Sequence, residues 1–263
     1  MSVHPSVRIH PTARVAVHDL TIGAGGVVGA RCVIEGHRVT IGRELWMDEG
    51  AVIGGGSCND PMAFLDAGDF LHLGRASQLN TARGVTLSDE VGIGIESKVF
   101  SHGAYLDELA GFPVAFAPVC IGSRVWLPSA LVLPGVTIGD DVVVGAMSLV
   151  NRDLPSGCLA AGVPARVIRE HAFPRALTEA EERAILERIA GECNAILGGE
   201  SARVIGPAEM EVAGARFVMR PRSIVGPATH ASEALRGQLR RHGIRFRCSP
   251  IDGNYQPWPE SSR

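Results

Sequence analysis

Aliphatic residues recur along this chain at a spacing that suits neither a helix nor an ordinary strand. They stand at Ile9, Val15, Ile22, Val28, Ile34, Ile41, Met47 and Ile53, then at Leu73, Leu79, Leu87, Ile93 and Val99. A third run is Ile121, Leu127, Leu133, Ile138, Val144 and Val150, and the dominant step throughout is six residues, with a few sevens, one eight and one five. An amphipathic helix would repeat its apolar positions every 3.6 residues and a half-buried strand every two. Glycine often follows the aliphatic residue, as at Gly23, Gly29, Gly42, Gly54, Gly74, Gly94, Gly122, Gly139 and Gly145. Such a unit reads as a short strand and a corner, with the aliphatic side chain turned into a central column and glycine easing the bend. Three units then close a triangular turn, and stacked turns form a prism. An ordinary β-sandwich, whose turns recur about every 8 to 12 residues, fits this spacing poorly.

Two gaps interrupt the period, from Ile53 to Leu73 and from Val99 to Ile121. Insertions into a solenoid leave it as loops, commonly on the binding face. The second gap opens with Ser101-His102. After Ile168-Arg169 the repeat stops, and residues 177–197 read as a helix: Thr178 and Glu181 form a capping box, and Gly198-Gly199 ends the segment. Beyond it the pattern predicts strands near 202–205 and 215–219, a helix over 232–241 stopped by Gly243, a strand at 244–248 and a Pro-rich tail. The predicted organisation is a prism over 1–169, a helical segment over 170–199, and a small α+β appendage over 200–263.

Composition sharpens this picture. Of the 32 glycines, 23 precede residue 170, and aromatic residues are only 5%, as expected of a core that is an aliphatic ladder. A formal charge of −3 provides no extended basic surface, which argues against nucleic-acid binding. The first twenty residues contain no apolar block, and no run of about 18 apolar residues occurs. The expectation is a cytoplasmic protein without a membrane span. The six cysteines are scattered without a CxxC pair and read as reduced, packed thiols, with no metal site.

Residues 121–169 contain Trp126 after Ile121-Gly122, the run Pro134-Gly135-Val136-Thr137-Ile138-Gly139-Asp140, and the ending Ala161-Gly162-Val163-Pro164-Ala165-Arg166. In these stretches the chain resembles the hexapeptide-repeat acyltransferases, especially sugar O-acetyltransferases of the galactoside, maltose and exopolysaccharide type. The resemblance covers residues 70–169 well, 9–69 by repeat only, and 170–263 not at all. It implies a mainly β fold, a left-handed parallel β-helix, assembled as a homotrimer with active sites between subunits and using acetyl-CoA as acyl donor without a metal.

The same resemblance assigns His102 as catalytic base. An alcohol must lose its proton as it attacks a thioester, and an imidazole, titrating near pH ~6.5, can take that proton and return it to the leaving thiolate. Carried over residue by residue, the CoA contacts fall on Ser129, Ala146, Asn151, Arg152, Arg166 and Arg169. Small residues at Ser129 and Ala146 suit a pantetheine arm, and arginine forks suit phosphates. Trp126, Tyr105, Asp107, His72 and Asn80 are candidates for the acceptor side, with Asp107 and Glu108 also able to orient the imidazole. Relatives with small-sugar acceptors carry an asparagine one coil before the histidine. Counting back from Leu87-Ser88-Asp89 puts Gly74 there, with Asn80 near but out of register. The five-residue step from Leu133 to Ile138 predicts a kink beside the CoA groove.

The leading expectation is acetyl transfer to a hydroxyl of a sugar or sugar-containing metabolite. N-acylation of an amino sugar is the alternative within the same chemistry. A zinc enzyme of the γ-carbonic anhydrase kind needs three converging histidines, which His102 lacks between His72 and His171. A non-catalytic, sugar-binding prism is the remaining class, opposed by the intact CoA-side ending.

Overall fold

The computed structural model describes residues 1–199 and 201–259. The chain divides into two compact units, Met1–Arg175 and Ala176–Arg263.

The first unit is a parallel β-helix with three faces. One face stacks Val7–Ile9, Gly26–Val28, Leu45–Met47, His72–Leu73, Gly92–Ile93, Trp126–Leu127, Val143–Val144 and Leu159–Gly162, closed by the antiparallel strand Ala165–Arg169. A second face carries Val52–Ile53, Gln78–Asn80, Lys98–Phe100, Leu131–Val132 and Leu149–Val150, paired in parallel register. The third carries Phe64–Ala67, Val85–Leu87, Val119–Ile121 and Thr137–Ile138. The nine-residue strand Val33–Ile41 joins the second and third faces, pairing with Val52–Ile53 at its start and Phe64–Ala67 at its end.

Inward positions at equal register form the predicted ladder. On the second face Leu79, Val99, Val132 and Val150 are fully buried one above another. Two details differ from the sequence-based reading. The first gap contains a further prism strand, Phe64–Ala67, with Leu65 buried, so only residues 54–63 leave the prism. Its alternation of Ala63, Leu65 and Ala67 carries the inward pattern, and Gly68 follows it as at other corners, but alanine stands where other coils place a larger aliphatic residue. Secondly, Val132 rather than Leu133 is the core residue, so the step to Ile138 is regular and the five-residue step falls between Leu127 and Val132. The corner Pro128-Ser129-Ala130 is therefore the short one. Buried Ser97 spans it, its hydroxyl donating to the Leu127 carbonyl at 2.6 Å and accepting from the Ala130 N–H at 2.9 Å.

Corners between the third and first faces are stitched by side-chain oxygens. Asp69 Oδ1 accepts the Arg43 N–H, Asp89 Oδ1 the Asp69 N–H, and Asp140 Oδ1 the Ser123 N–H, at 2.6–2.8 Å. Glycine is required beneath them: a Cβ on Gly68 would lie 2.2 Å from Asp89 Oδ1 and 2.8 Å from the Ser88 carbonyl carbon. Gly68→Ala must push two coils apart, and overpacking of this kind costs about 1–3 kcal/mol. We expect its melting temperature, measured by calorimetry, to fall by roughly 3–10 °C; an unchanged value would contradict the stitching.

The second unit begins with helix α1, Glu179–Asn194, whose capping box is formed by Thr178 and Glu181 as expected from sequence. A four-stranded antiparallel sheet follows: Arg203–Gly206, Glu209–Val212, Ala215–Val218 and Ser223–Val225. Helix α2, His230–Arg241, and the hairpin of Cys248–Ile251 with Asn254–Pro257 complete it. Leu186 and Ile189 of α1 share one core with Met210, Phe217, Leu235, Leu239 and Phe246. The segment expected as a strand at 244–248 is a connection up to Arg247 instead. Its apolar alternation is genuine burial, since Phe246 meets Phe217 edge-on at 5.5 Å, but residues 244–247 are not in a strand. Among the described residues no helix is long and apolar enough to cross a membrane.

Candidate active site

Both excursions, 54–63 and 101–118, leave the prism at the same corner, between the second and third faces. Between them lies the tight corner 81–84. Stacked geometry thus brings together residues far apart in sequence, and His102 stands among them.

The imidazole is held from three sides. Its Nδ1 lies 2.8 Å from Asn80 Oδ1. Its ring stacks on Phe116 at 5.5 Å between centroids, the two residues facing each other across a short antiparallel pairing. Gly56 closes the third side, where a Cβ would come within 3.1 Å of Nε2. Arg83 braces the same corner, its guanidinium over the Phe116 ring at 5.4 Å and 4.0 Å from Asp60.

The hydrogen bonds decide which imidazole nitrogen bears the proton. Asn80 Nδ2 donates to the Gly56 carbonyl at 3.0 Å, and Asn80 Oδ1 accepts from the Ala82 N–H at 3.3 Å. A carbonyl only accepts and an N–H only donates, so the amide cannot be reversed. The atom facing the imidazole is therefore an acceptor, and Nδ1 must be the donor. Neutral His102 consequently presents a lone pair at Nε2. Asn80 is itself 1% exposed, and Ser101, fully buried, donates to the Asn80 carbonyl at 2.8 Å, so the arrangement is preorganised.

This corrects the sequence-based count. Gly74 stacks against Gly94 at the corner after the first face, remote from His102 in register, whereas Asn80 pairs with Phe100 on the strand leading into His102. The count began at a corner one face away.

Other expected residues fall elsewhere. Trp126 and His72 lie on the first face, in the row Trp46, His72, Gly92, Trp126. Trp126 lies over Gly92 and Gly94, where a Cβ would collide with the indole, and His72 Nε2 is 3.2 Å from Asp48 Oδ2. Asp107 caps the short turn Glu108–Ala110 by accepting the Leu109 N–H at 2.9 Å; Asn80, not Asp107 or Glu108, orients the imidazole. Tyr105 is 96% exposed at the loop tip.

Across the second face from His102, at its corner with the first face, runs a groove of about 360 Å³. Ser129 lies on its floor beside Leu131, Leu149 and Met147, with Lys98 and Val163 at its sides. The Ser129 hydroxyl donates to the Ile95 carbonyl at 2.9 Å, so the short corner is pinned to the coil before it. Ala146 adjoins Met147, and Asn151 and Arg152 continue the strand Leu149–Val150, both exposed. Arg166 and Arg169 are exposed on the hairpin that carries Val163 at its turn. The groove is a largely apolar channel with small residues at its corners, Ser129, Ala130 and Ser148, and with Glu96 and Lys98 as its charged lining; Arg152, Arg166 and Arg169 are not among the residues that line it. Lys98, the only lysine in the chain, was noted from sequence as such but was not assigned to a site. Gly56, Arg83 and Phe116 were not singled out either; Gly56 and Phe116 stand in the two excursions and Arg83 at the tight corner between them.

No group of three potential metal ligands occurs among the described residues. Five of the six cysteines are buried, Cys120 being exposed, and burial pushes the thiols of Cys32, Cys58, Cys158 and Cys193 above their ordinary range.

Comparison with known proteins bears on this geometry. The chain is 35% identical over 131 residues to galactoside O-acetyltransferase of Escherichia coli, a match covering 46% of this chain and 64% of that protein. It is 36% identical over 107 residues to the putative colanic acid biosynthesis acetyltransferase WcaF of Escherichia coli, covering 40% and 58%. These similarities agree with the resemblance to hexapeptide-repeat acetyltransferases read from the sequence. The chain spans less than two thirds of the length of these relatives. Among solved structures, AntD, an N-acyltransferase from Bacillus cereus with Coenzyme A bound, is similar at 21% identity and a TM-score of 0.46, covering 70% of this chain and 90% of that one. No protein-family profile matches the chain.

Proposed function

We propose that this protein is an acetyl-CoA-dependent O-acetyltransferase acting on a hydroxyl of a sugar or sugar-containing metabolite, with His102 as general base. The observation that carries the reading is the lone pair fixed at Nε2 by the Asn80 amide. Nε2 takes the acceptor's proton as the oxygen attacks the thioester carbonyl, and holds it for the departing thiolate. Asn80 keeps Nδ1–H engaged throughout, so the imidazolium formed in the step has its second proton already satisfied. Acetyl-CoA supplies the activated acyl group. Ser129, Ala146, Met147 and Leu149 would line its arm, and Asn151, Arg152, Arg166 and Arg169 its phosphate end.

The groove and His102 occupy opposite edges of the second face. A homotrimer, in which a neighbour's groove meets this chain's histidine corner, reconciles that separation. Two exposed loop residues beside His102 support it, Tyr105 at 96% and Leu109 at 98% exposure, as apolar surface for a second copy to cover. Use of acetyl-CoA puts the reaction in the cytoplasm. Trp126 and Tyr105 are then candidates for contact with the acceptor from either subunit.

The test is a panel of free sugars, glycosides and nucleotide sugars incubated with acetyl-CoA, read by thiol release and by mass spectrometry of the acceptor. Acceptor-dependent CoA release with a product heavier by one O-acetyl group is expected. Thiol release that no hydroxyl acceptor stimulates, or acetylation confined to amino sugars, would overturn the reading.

A further inference from the structure

The second unit contains a pocket of its own, of about 450 Å³, unconnected with the chemistry described above. One wall is a single helical face of α1, with Glu182, Ile185 and Leu186 at i, i+3 and i+4. Met219 and Ile244 form the apolar remainder opposite. Two arginines from the turn after Ala215–Val218 stand at the rim, and they differ in their pairing. Arg220 is neutralised by Glu182, with both carboxylate oxygens at 3.1 Å. Arg222 is partly buried, and its Nη1 donates to the uncharged carbonyl of Arg245 at 3.2 Å. Among the described residues Arg222 faces no carboxylate within ion-pair distance.

We propose that this pocket binds a small amphiphilic carboxylate, its apolar body against Ile185, Leu186, Met219 and Ile244 and its head on Arg222. The volume and apolar lining are those of small-molecule sites, in which a few polar groups fix orientation. A guanidinium partly withdrawn from water favours an anion, and its planar fork matches a carboxylate's two oxygens. Glu182 sets the specificity: by occupying Arg220 it leaves one positive charge for the ligand, so a monoanion is matched and a polyanion is not.

Isothermal titration of the full chain with decanoate, below its micellar range, tests this. Saturable one-to-one binding is expected, at least fivefold weaker in Arg222→Gln, at least fivefold weaker for 1-decanol than for decanoate, and tighter in Glu182→Gln, where Arg220 is released. Absence of saturable binding overturns the proposal, as does a smaller effect of the Arg222 change or equal binding of the alcohol. Should Arg222→Gln fail to retain the parent melting transition, Ile185→Trp, which fills the pocket from the helix side, takes its place: binding must disappear, and unaltered binding overturns the assignment.

Discussion

His102→Ala is expected to lower kcat for acceptor-dependent CoA release by about 10²–10⁴-fold, the usual contribution of a positioned base. KM for acetyl-CoA should change little, because His102 is not among the residues that line the groove that would hold the arm. That split, kcat lost with KM retained, marks an interaction made in the transition state rather than in ground-state binding. The substitution leaves the fold intact: His102 lies at the start of an excursion and contributes nothing to the aliphatic ladder. Asp107→Ala is the control, altering the same loop at its short turn and expected to leave kcat within about twofold, as for an exposed cap. Activity of His102→Ala within about tenfold of wild type would remove the histidine from the chemistry.

The prism was legible because its core is one-dimensional. A fixed step in sequence becomes a vertical column in space, so Leu79, Val99 and Val150 were identifiable as core without any knowledge of pairing. The column also shows where that reading weakens. Leu133 and Val132 are both aliphatic and adjacent, and only the register Val99 with Val132 shows which one points inward. The hidden strand Phe64–Ala67 was lost for a similar reason, since Ala67 is a small inward residue that does not announce a coil. His102 was found through the stretch around it. Of its partners, Asn80 was named only as an acceptor-side candidate out of register, and Gly56 and Phe116 were not named, because the three come from different coils and the insertions between those coils displace the count. Spacing predicts what repeats; a site built where the repeat is broken has to be seen in three dimensions. In the second unit, which has no period to exploit, caps were readable at α1 from Thr178 and Glu181, while the strands Glu209–Val212 and Ser223–Val225 passed unnoticed. Their pattern is too short to stand out from connecting sequence.

Changes at Asn80 should separate the orientation of the base from its presence. In Asn80→Ala, Nδ1 loses its acceptor, while the Gly56 carbonyl and the Ala82 N–H lose their side-chain partner. Leaving such buried groups unpaired costs about 1–3 kcal/mol of stability. The imidazole is then free to carry its proton on Nε2, where it cannot act as base, and to rotate away from the acceptor, so kcat should fall by roughly 10–100-fold at every pH. Asn80→Asp preserves an acceptor for Nδ1 and places a negative charge 2.8 Å from it. A neighbouring carboxylate favours the charged imidazolium over the neutral ring. Because the reaction needs the neutral form, the acid limb of the kcat/KM profile should move to higher pH, with activity recovering above it. The alanine variant shows no such recovery. Loss of the donor to the Gly56 carbonyl is common to both variants, so a difference between their pH profiles isolates the Nδ1 contact. Superimposable profiles for wild type and Asn80→Asp, together with alanine activity within about threefold of wild type, would show that the Asn80 amide is a structural tie and nothing more.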